Sequence, residues 1–577
     1  MCGITGYIGD SASQNVVTML EKLEYRGYDS AGVATLCPNG SLDIRKGTGY
    51  LSTVVSATGL CRVQGSVSIG HVRWATHGKV SVENAHPFAD CSGNLAIVHN
   101  GIIDNCDEIR TILSSRHTFT SDTDSELIAH LIEQQQQDGA SLIDAVVATI
   151  GIIKGSYAIV VISPQLPDML LVARLGSPLI CGWSRQGEAA VASDYLALGE
   201  EIDCILDVPE RVVVPVSRKP DLAARPRPEY TTETPSKGKH EYYMLSEIYE
   251  QPETFSRALK QDRETLRTVA IDLLRSRYTV FTACGTSRFA ALIGRFLFST
   301  LADRMSEVVV GSEFQHFAKS LGDGSAVIAI SQSGETADVI SGIEVIRNRP
   351  ISVVSITNRQ MSRLEAISDR VLRMNVGPEV GVAATKTFTG ELAILYQLAL
   401  TMSNSEMSEL ESLPDVIREC LATNDAVSRV GAVLAKSEHV YFISKGLNFA
   451  TAGECALKMK EISYIHAESM AAGELKHGTL SLIEPGTPVV GLCPNDNMYD
   501  EMISSLTEAK SRGAFVVGLS DKNNALFDQW LKIPAVPDLY YPVPLVVIGQ
   551  LLAYYTAVAR GLNPDRPRSL AKSVTVL

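Results

Sequence analysis

Cys2 directly follows the initiator methionine. So small a residue in second place permits Met1 to be removed, which leaves Cys2 with a free α-amine beside its own thiol. An α-amine titrates at about 7.7–8.0 and a thiol at about 8.5, so near neutral pH the amine can accept the thiol proton. By position alone Cys2 is one of eleven scattered cysteines. Its companions add chemistry: Arg73 and Trp74 in GHVRWATHG, Asn100 and Gly101 in VHNGIIDN, and Asp124 in SDTDSE. Arginine offers a fork for a carboxylate and aspartate a partner for an ammonium, which together suit the α-amino-acid end of a substrate. An Asn side chain and a Gly backbone N–H suit the oxyanion formed when a thiolate attacks an amide. Taken singly, each also fits a plainer role: a surface ion pair for Arg73, a packed aromatic for Trp74, an Asn-Gly turn for Asn100 and Gly101.

A second set of residues suits a sugar phosphate. AVIAISQSGETADVI runs from an apolar strand into a loop holding Ser331, Ser333, Gly334 and Thr336, then into a helix. Helix N-terminal N–H groups with short hydroxyls suit a phosphate monoester without many cations. ACGTS places Thr286 and Ser287 at the end of another strand, where open α/β sheets bind ligands. Either loop also reads as a capped strand-to-helix turn. Glu454, Lys458 and Glu461 share one helical face, as a solvated ion-pair row also would, and His477 follows in a Gly-flanked segment. Ketose–aldose isomerisation needs a base between C1 and C2 and an acid/base pair for ring opening, and these residue types supply both.

The elements that must position these groups differ between the two parts of the chain. In residues 1–220, SVSIGHVRWATHG, LAIVHNG and SYAIVVIS read as strands and ELIAHLIEQQQQ as a helix. Residues 221–243, rich in Pro, Thr and Lys, read as a linker. Beyond it, β-branched runs alternate with helices: YTVFTACGTS, SEVVVGSEF, SAVIAISQSGE and ISVVSITN, then EHVYFISKGLN, TPVVGLCPND and AFVVGLSD. The pattern predicts two related parallel α/β domains in tandem, 244–420 and 421–565, with a tail at 566–577.

The 577 residues suggest about three to four domains. Hydrophobic residues at 45% and charged residues at 20% are globular proportions. Fifty-one Lys and Arg against 65 Asp and Glu give a net charge of −14, with no basic run, which argues against a nucleic-acid partner. Single, unpaired cysteines point to a reducing compartment, and no Cys/His/carboxylate set has metal-ligand spacing, so no metal is expected. The N-terminus lacks a signal-peptide pattern. The apolar stretch Val543–Ala559 contains Gln550 and is shorter than the ~20 residues a bilayer needs. The expectation is a cytoplasmic chain with a buried helix there and no membrane partner.

MCGITGYIG, LEYRGYDSAG, GHVRWATHG, NAHPF, HNGIIDN and SDTDSE resemble the signature series of class II glutamine amidotransferases, N-terminal-nucleophile hydrolases with an αββα sandwich. The resemblance implies Cys2 as nucleophile with its α-amine as base, Asn100 and Gly101 as oxyanion hole, and Arg73, Thr76, His77 and Asp124 as glutamine contacts. Phe88 stands where relatives often carry a second His after NAHP. CGTS, SQSGETAD, GVAATKTF, KEISYIHAE, GELKHG and PRSLAKSVTV resemble, in order, the isomerase half of the glutamine–fructose-6-phosphate aminotransferase family, two sugar-isomerase (SIS) domains. That resemblance implies phosphate contacts from Ser331, Gln332, Ser333 and Thr336, and sugar-site contacts from Thr286, Ser287, Val382 and Ala383. It further implies Glu461 moving the C1/C2 proton, His477 assisting ring opening, Lys572 forming an imine with the open ketose, and Lys458 in support. Ala384 replaces a serine of some relatives and Leu577 a common terminal acid. The implied reaction takes ammonia from glutamine to fructose 6-phosphate, giving glucosamine 6-phosphate, the first step of amino-sugar biosynthesis. Trp74 would gate the ammonia, no cofactor is required, and a homodimer would share each sugar site through His477. A class II amidotransferase joined to another synthase would need an S-G-G-x-D-S loop or an acidic ribose-phosphate loop, and neither is present. A sugar-phosphate-sensing regulator would need a basic DNA-binding module. Another ketose phosphate as acceptor stays open.

Overall fold

The computed structural model describes residues 2–75, 78–221, 223–227 and 236–574. The chain divides into two compact units, Met1–Thr232 with Ser573–Leu577, and Glu233–Lys572.

In the first unit two antiparallel sheets pack face to face. One runs Arg225–Pro226, Ile202–Asp207, Ile180–Ser184, Ala189–Ala192, Gly3–Ile8, Val67–Arg73, Ser30–Leu36, Leu42–Thr48. The other runs Val214–Val216, Leu170–Leu175, Gly155–Ile162, Ala96–Ile103, Phe88–Ala89. Side-chain alternation explains the layering. Ala158, Val160 and Ile162 face the inter-sheet core with Ile4, Ile8 and Val98, while Tyr157, Ile159 and Val161 face the helices Cys106–Leu113, Ser125–Gln137 and Leu142–Ile152. Helix Ala12–Glu21 covers the outer face of the first sheet, its Val16 and Leu20 lying over Gly70. This is the expected αββα sandwich. The strand Arg225–Pro226, paired with Cys204 and Ile205, extends the first sheet into the segment read as linker.

The second unit carries two parallel five-stranded sheets. The first has the order Ser306–Val310, Thr279–Ala283, Ala326–Ser331, Ser352–Thr357, Arg370–Arg373, and the second His466–Ala471, His439–Ser444, Pro488–Leu492, Phe515–Ser520, Gln529–Lys532. The identical order is the tandem repeat expected from the strand–helix alternation. One apolar core runs through both halves, from Phe281 and Ile328 to Phe442 and Val490. The boundary expected at 420/421 falls inside the helix Ser408–Ala422. The apolar helix Pro542–Ala559 lies in this core, with Leu545, Ile548 and Leu552 fully buried. Gln550, its polar exception, accepts from Gln251 Nε2 at 2.9 Å and donates to Thr385 O at 3.2 Å. All eleven cysteines are free thiols.

Candidate active sites

Cys2 precedes the strand Gly3–Ile8, in the middle of the first sheet, where Gly3 faces Val72. That register sets the Cys2 thiol at the end of the neighbouring strand Val67–Arg73. Trp74 N–H donates to Cys2 Sγ at 3.3 Å, and the thiol reaches Trp74 O at 3.5 Å. Asn100 Nδ2 donates to Cys2 O at 3.0 Å, while its Oδ1 meets His71 Nε2 at 3.1 Å. His71 Nε2 also faces His99 O at 3.1 Å; both partners accept, so this nitrogen carries the hydrogen and fixes which way the Asn100 amide points. Burial pushes His71 down to about 3, which keeps it a neutral donor. His86, stacked on His71 with centroids 3.9 Å apart, and His99 are likewise lowered by burial.

Two glycines allow this crowding. Gly101 has φ +142°, and a Cβ there would lie 1.9 Å from Ser156 O. A Cβ on Gly27 would lie 2.6 Å from the Arg73 carbonyl carbon, so the YRGY turn passes against the Arg73 backbone only without a side chain. Arg73 is buried at the strand end; burial lowers its pKa, against the nearby Cys2, Asp29 and Asp124 charges. Asp124, just before helix Ser125–Gln137, accepts from Ile103 N at 2.8 Å. The Trp74 ring meets Tyr28 edge-on at 5.4 Å. Thr76 and His77 lie outside the described residues. Phe88, the departure noted in the sequence, is buried against His86 and under Lys46 Nζ, 4.9 Å above its ring.

In the second unit the strands Thr279–Ala283 and Ala326–Ser331 are parallel neighbours, with Ala283 opposite Ile330, so the loops that follow them lie side by side. Ser331 Oγ meets Thr336 Oγ1 at 2.8 Å and accepts from Gly334 N at 3.1 Å, just before helix Ala337–Ile346. Gln332 O accepts from Asn358 N, and Ser333 Oγ from Glu335 N. Thr286 begins helix Gly285–Ala302, which packs closely on helix Leu447–Ser463: a Cβ on Gly453 would lie 2.2 Å from Phe289 Cε1. Across that contact, Lys458 Nζ donates to Thr286 Oγ1 at 2.8 Å and lies 2.5 Å from Glu461 and 3.5 Å from Glu454. Burial works against the Lys458 charge, yet Glu454 and Glu461 overcome it and raise its pKa to about 12. Burial lifts Glu454 to about 8.

The tail docks on the segment that carries Val382 and Ala383. Val382 N donates to Asp565 O at 3.1 Å, and Lys572 Nζ pairs with Glu379 and donates to Gly381 O at 2.8 Å. Burial raises Glu379, but the Lys572 charge and hydrogen bonds from Thr385 and Thr387 hold it at about 2. His477 ends the turn Ala472–His477 and is exposed, and its side chain makes no hydrogen bond or ion pair to another described residue.

The family model described as "Glutamine amidotransferase domain" matches residues 71–200, and "SIS domain" matches 272–401 and 433–558. The chain is 41% identical to "Glutamine--fructose-6-phosphate aminotransferase [isomerizing]" of Thermococcus kodakarensis and 40% identical to that of Pyrococcus horikoshii, over all of both chains in each case. This chain belongs to the isomerising glutamine–fructose-6-phosphate aminotransferase family. The "C-terminal domain of glucosamine-fructose-6-phosphate aminotransferase from Francisella tularensis" superposes with a TM-score of 0.54 at 30% identity, covering 57% of this chain and 99% of that one.

Against that family frame, sequence reasoning missed several buried acids. Glu391, on helix Lys386–Ser403, accepts from Ser287 Oγ at 2.6 Å, so this hydroxyl points into the core in the structure. Burial, with Glu454 nearby, raises Glu391 to about 8. Glu247 receives the Val380 and Gly381 N–H groups, and burial with Glu379 lifts it to about 7. A carboxyl within an otherwise apolar helix, as at Glu391, was the available signal. Spacing also failed to connect Cys91, His117, His130 and Glu133, which the fold brings within 4.8 Å of one another.

Proposed function

We propose that this chain hydrolyses glutamine and delivers the ammonia to fructose 6-phosphate, isomerising the product to glucosamine 6-phosphate. The observation that carries this reading is one chain holding both a thiol beneath an N–H donor and a fixed amide, and a buried Lys458 tied to half-buried Glu461 and Thr286 beside a hydroxyl-rich phosphate loop.

After Met1 is removed, the Cys2 α-amine takes the thiol proton and the thiolate attacks the glutamine amide carbon. Asn100 Nδ2, held by His71, and the Gly101 N–H receive the oxyanion; Arg73 takes the α-carboxylate and Asp124 the ammonium. Thr76 and His77 join that pocket by resemblance to the family. The α-ammonium returns its proton to the amide nitrogen, and collapse of the adduct expels ammonia and leaves a thioester that water opens to glutamate. We assign to Trp74, whose backbone brackets the thiol, the retention of that ammonia.

At the sugar site, Ser331, Gln332, Ser333 and Thr336 hold the phosphate, with Thr286, Val382 and Ala383 lining the sugar, while the Ser287 hydroxyl is committed to Glu391 in the core. Lys572, having passed its proton to Glu379, attacks C2 of the open ketose and forms an imine with loss of water; ammonia then adds to that imine and releases the lysine amine, and Glu461 moves the proton from C1 to C2. Lys458 remains an ammonium paired with Glu461, which fits a role in orienting Glu461 and Thr286 rather than as a nucleophile. Ring opening falls to His477 of the partner subunit in a homodimer, a reading supported by the exposure of His477 on its own chain.

The test is the purified protein with glutamine and a panel of ketose phosphates, together with Cys2→Ala. Glucosamine 6-phosphate should form from fructose 6-phosphate. Cys2→Ala should lose glutamine-dependent synthesis while retaining isomerisation of the sugar phosphate. Normal glutamine turnover by Cys2→Ala would remove the nucleophile assignment, and a preferred acceptor other than fructose 6-phosphate would replace the substrate.

A further inference from the structure

Cys91, His117, His130 and Glu133 reach one point of the first unit from three segments. Cys91 lies in the loop after strand Phe88–Ala89, His117 in the turn after helix Cys106–Leu113, and His130 and Glu133 one turn apart on helix Ser125–Gln137. Cys91 Sγ is 3.6 Å from His117 Nδ1 and 3.5 Å from His130 Nδ1. Glu133 Oε2 is 3.0 Å and 3.3 Å from the same two nitrogens, and also accepts from Cys91 N at 3.0 Å.

The hydrogen bonds around the rings decide what these atoms present. Gln134 Nε2 donates to Asp138 at 3.0 Å, which turns its Oε1 toward His117 Nε2 at 3.2 Å. An amide oxygen only accepts, so His117 Nε2 carries the hydrogen and Nδ1 of the neutral ring presents a lone pair. His130 Nδ1 points to the same centre, while its buried Nε2 lies 3.7 Å from Glu126 Oε1, beyond hydrogen-bond distance. A sulfur, two imidazole nitrogens and a carboxylate oxygen thus face one centre, with the His117 ring backed by an oxygen as metal-bound histidines are.

We propose that these four residues form a structural zinc site. Zinc bonds of about 2.3 Å to sulfur and about 2.0–2.1 Å to nitrogen and oxygen, at tetrahedral angles, give S···N edges of about 3.6 Å and N···O edges of about 3.4 Å. The observed edges of 3.5 and 3.6 Å, and 3.0 and 3.3 Å, lie close to those values. Binding releases the Cys91 thiol proton to solvent as the Zn–S bond forms, and thiolate plus carboxylate then neutralise the dication. The His117 and His130 side chains are buried and Cys91 is exposed, which gives the ion a route in from the surface. Four protein ligands leave no open position, so the ion acts as a staple: it ties the loop after Phe88–Ala89 to helix Ser125–Gln137. This goes beyond the amidotransferase reading and does not depend on it.

The test uses full-length protein purified without chelators, with metal content read by mass spectrometry. About one zinc per chain is expected, falling at least about tenfold in Cys91→Ser and in His117→Ala. Wild type stripped of metal and given cobalt(II) should show intense tetrahedral ligand-field bands and a thiolate-to-cobalt charge-transfer band. The wild-type spectrum keeps the test valid if the variants fold poorly. Stripped wild type that takes up neither zinc nor cobalt would mean an imidazolium–carboxylate cluster and overturn the proposal. Zinc content unchanged in Cys91→Ser would place the ion elsewhere and overturn it equally.

Discussion

Asn100→Ala removes the side chain whose Nδ2 lies 3.0 Å from Cys2 O and whose Oδ1 is fixed by His71. The amide is aimed before substrate arrives, so it costs no reorganisation when charge develops on the attacked carbonyl oxygen. Loss of one such donor lowers kcat by roughly 10²–10³, about 2.7–4 kcal/mol of transition-state stabilisation. Glutamine KM should change little, because the ground-state amide carries little of that charge and the α-amino-acid end is held by other residues. Folding should suffer by only about 1 kcal/mol, since His71 Nε2–H keeps its bond to His99 O. Glutamate release measured across glutamine concentrations supplies kcat and KM, with fructose 6-phosphate isomerisation in the same samples as the folding control. A kcat reduced less than about fivefold, or a loss lying wholly in KM, would show that Asn100 binds substrate or fills space and would refute the oxyanion assignment.

Trp74→Ala should leave glutamine hydrolysis largely intact while lowering sugar amination per ammonia released; a parallel fall in both would make Trp74 a packing residue. Borohydride should trap fructose 6-phosphate on wild type but not on Lys572→Arg, and trapping that survives would move the imine to another lysine. Inactive Lys572→Arg and inactive His477→Ala, once subunit exchange is verified, should regain partial activity together, and confirmed hybrids without activity would end the shared-site reading. His71, His86 and His99 are lowered by burial, so the native state excludes protons that the unfolded chain binds below about 6.5. Their stabilisation is therefore full above that pH and is lost as pH falls, by up to about 1.4 kcal/mol per pH unit for each ring. Urea unfolding at stepped pH should show a shallower acid loss for His71→Gln than for wild type, and identical slopes would contradict the burial argument.

Much of the fold was legible because apolar periodicity reports local burial. The runs at Val67, Ala96, Ala326 and Phe515 became strands, and the Ser125–Gln137 helix formed where its pattern placed it. The edge strands Arg370–Arg373 and Gln529–Lys532 escaped notice because an edge exposes one side and mixes charge into the run. His466–Ala471, also at an edge, was hidden by its polar HAES start. The site residues at strand ends, such as Arg73 and Ser331, travel within short motifs. The pairs Glu379–Lys572 and Glu391–Ser287 and the Cys91 cluster do not: these partners lie far apart in sequence, and only the topology brings them together. Ser287 shows the opposite limit, a motif position whose hydroxyl direction depends on a core carboxyl that no local pattern announces.

The position of helix Pro542–Ala559 along the chain sets an order of events during synthesis. It packs on Leu447–Ser463, Asn424–Leu434, Ser408–Ala422 and Tyr243–Tyr249, all of which leave the ribosome before it. The apolar faces of those helices must wait, uncovered, until this late segment arrives, Tyr243–Tyr249 waiting longest. Contacts so distant in sequence slow folding and lengthen the exposure of apolar surface, while residues 1–232, the bulk of the first unit, are made well before and can fold as they emerge. The nascent second half is therefore the part of this protein with most need of a chaperone, and translation pausing ahead of codon 542 should raise its aggregation more than a pause anywhere in the first unit.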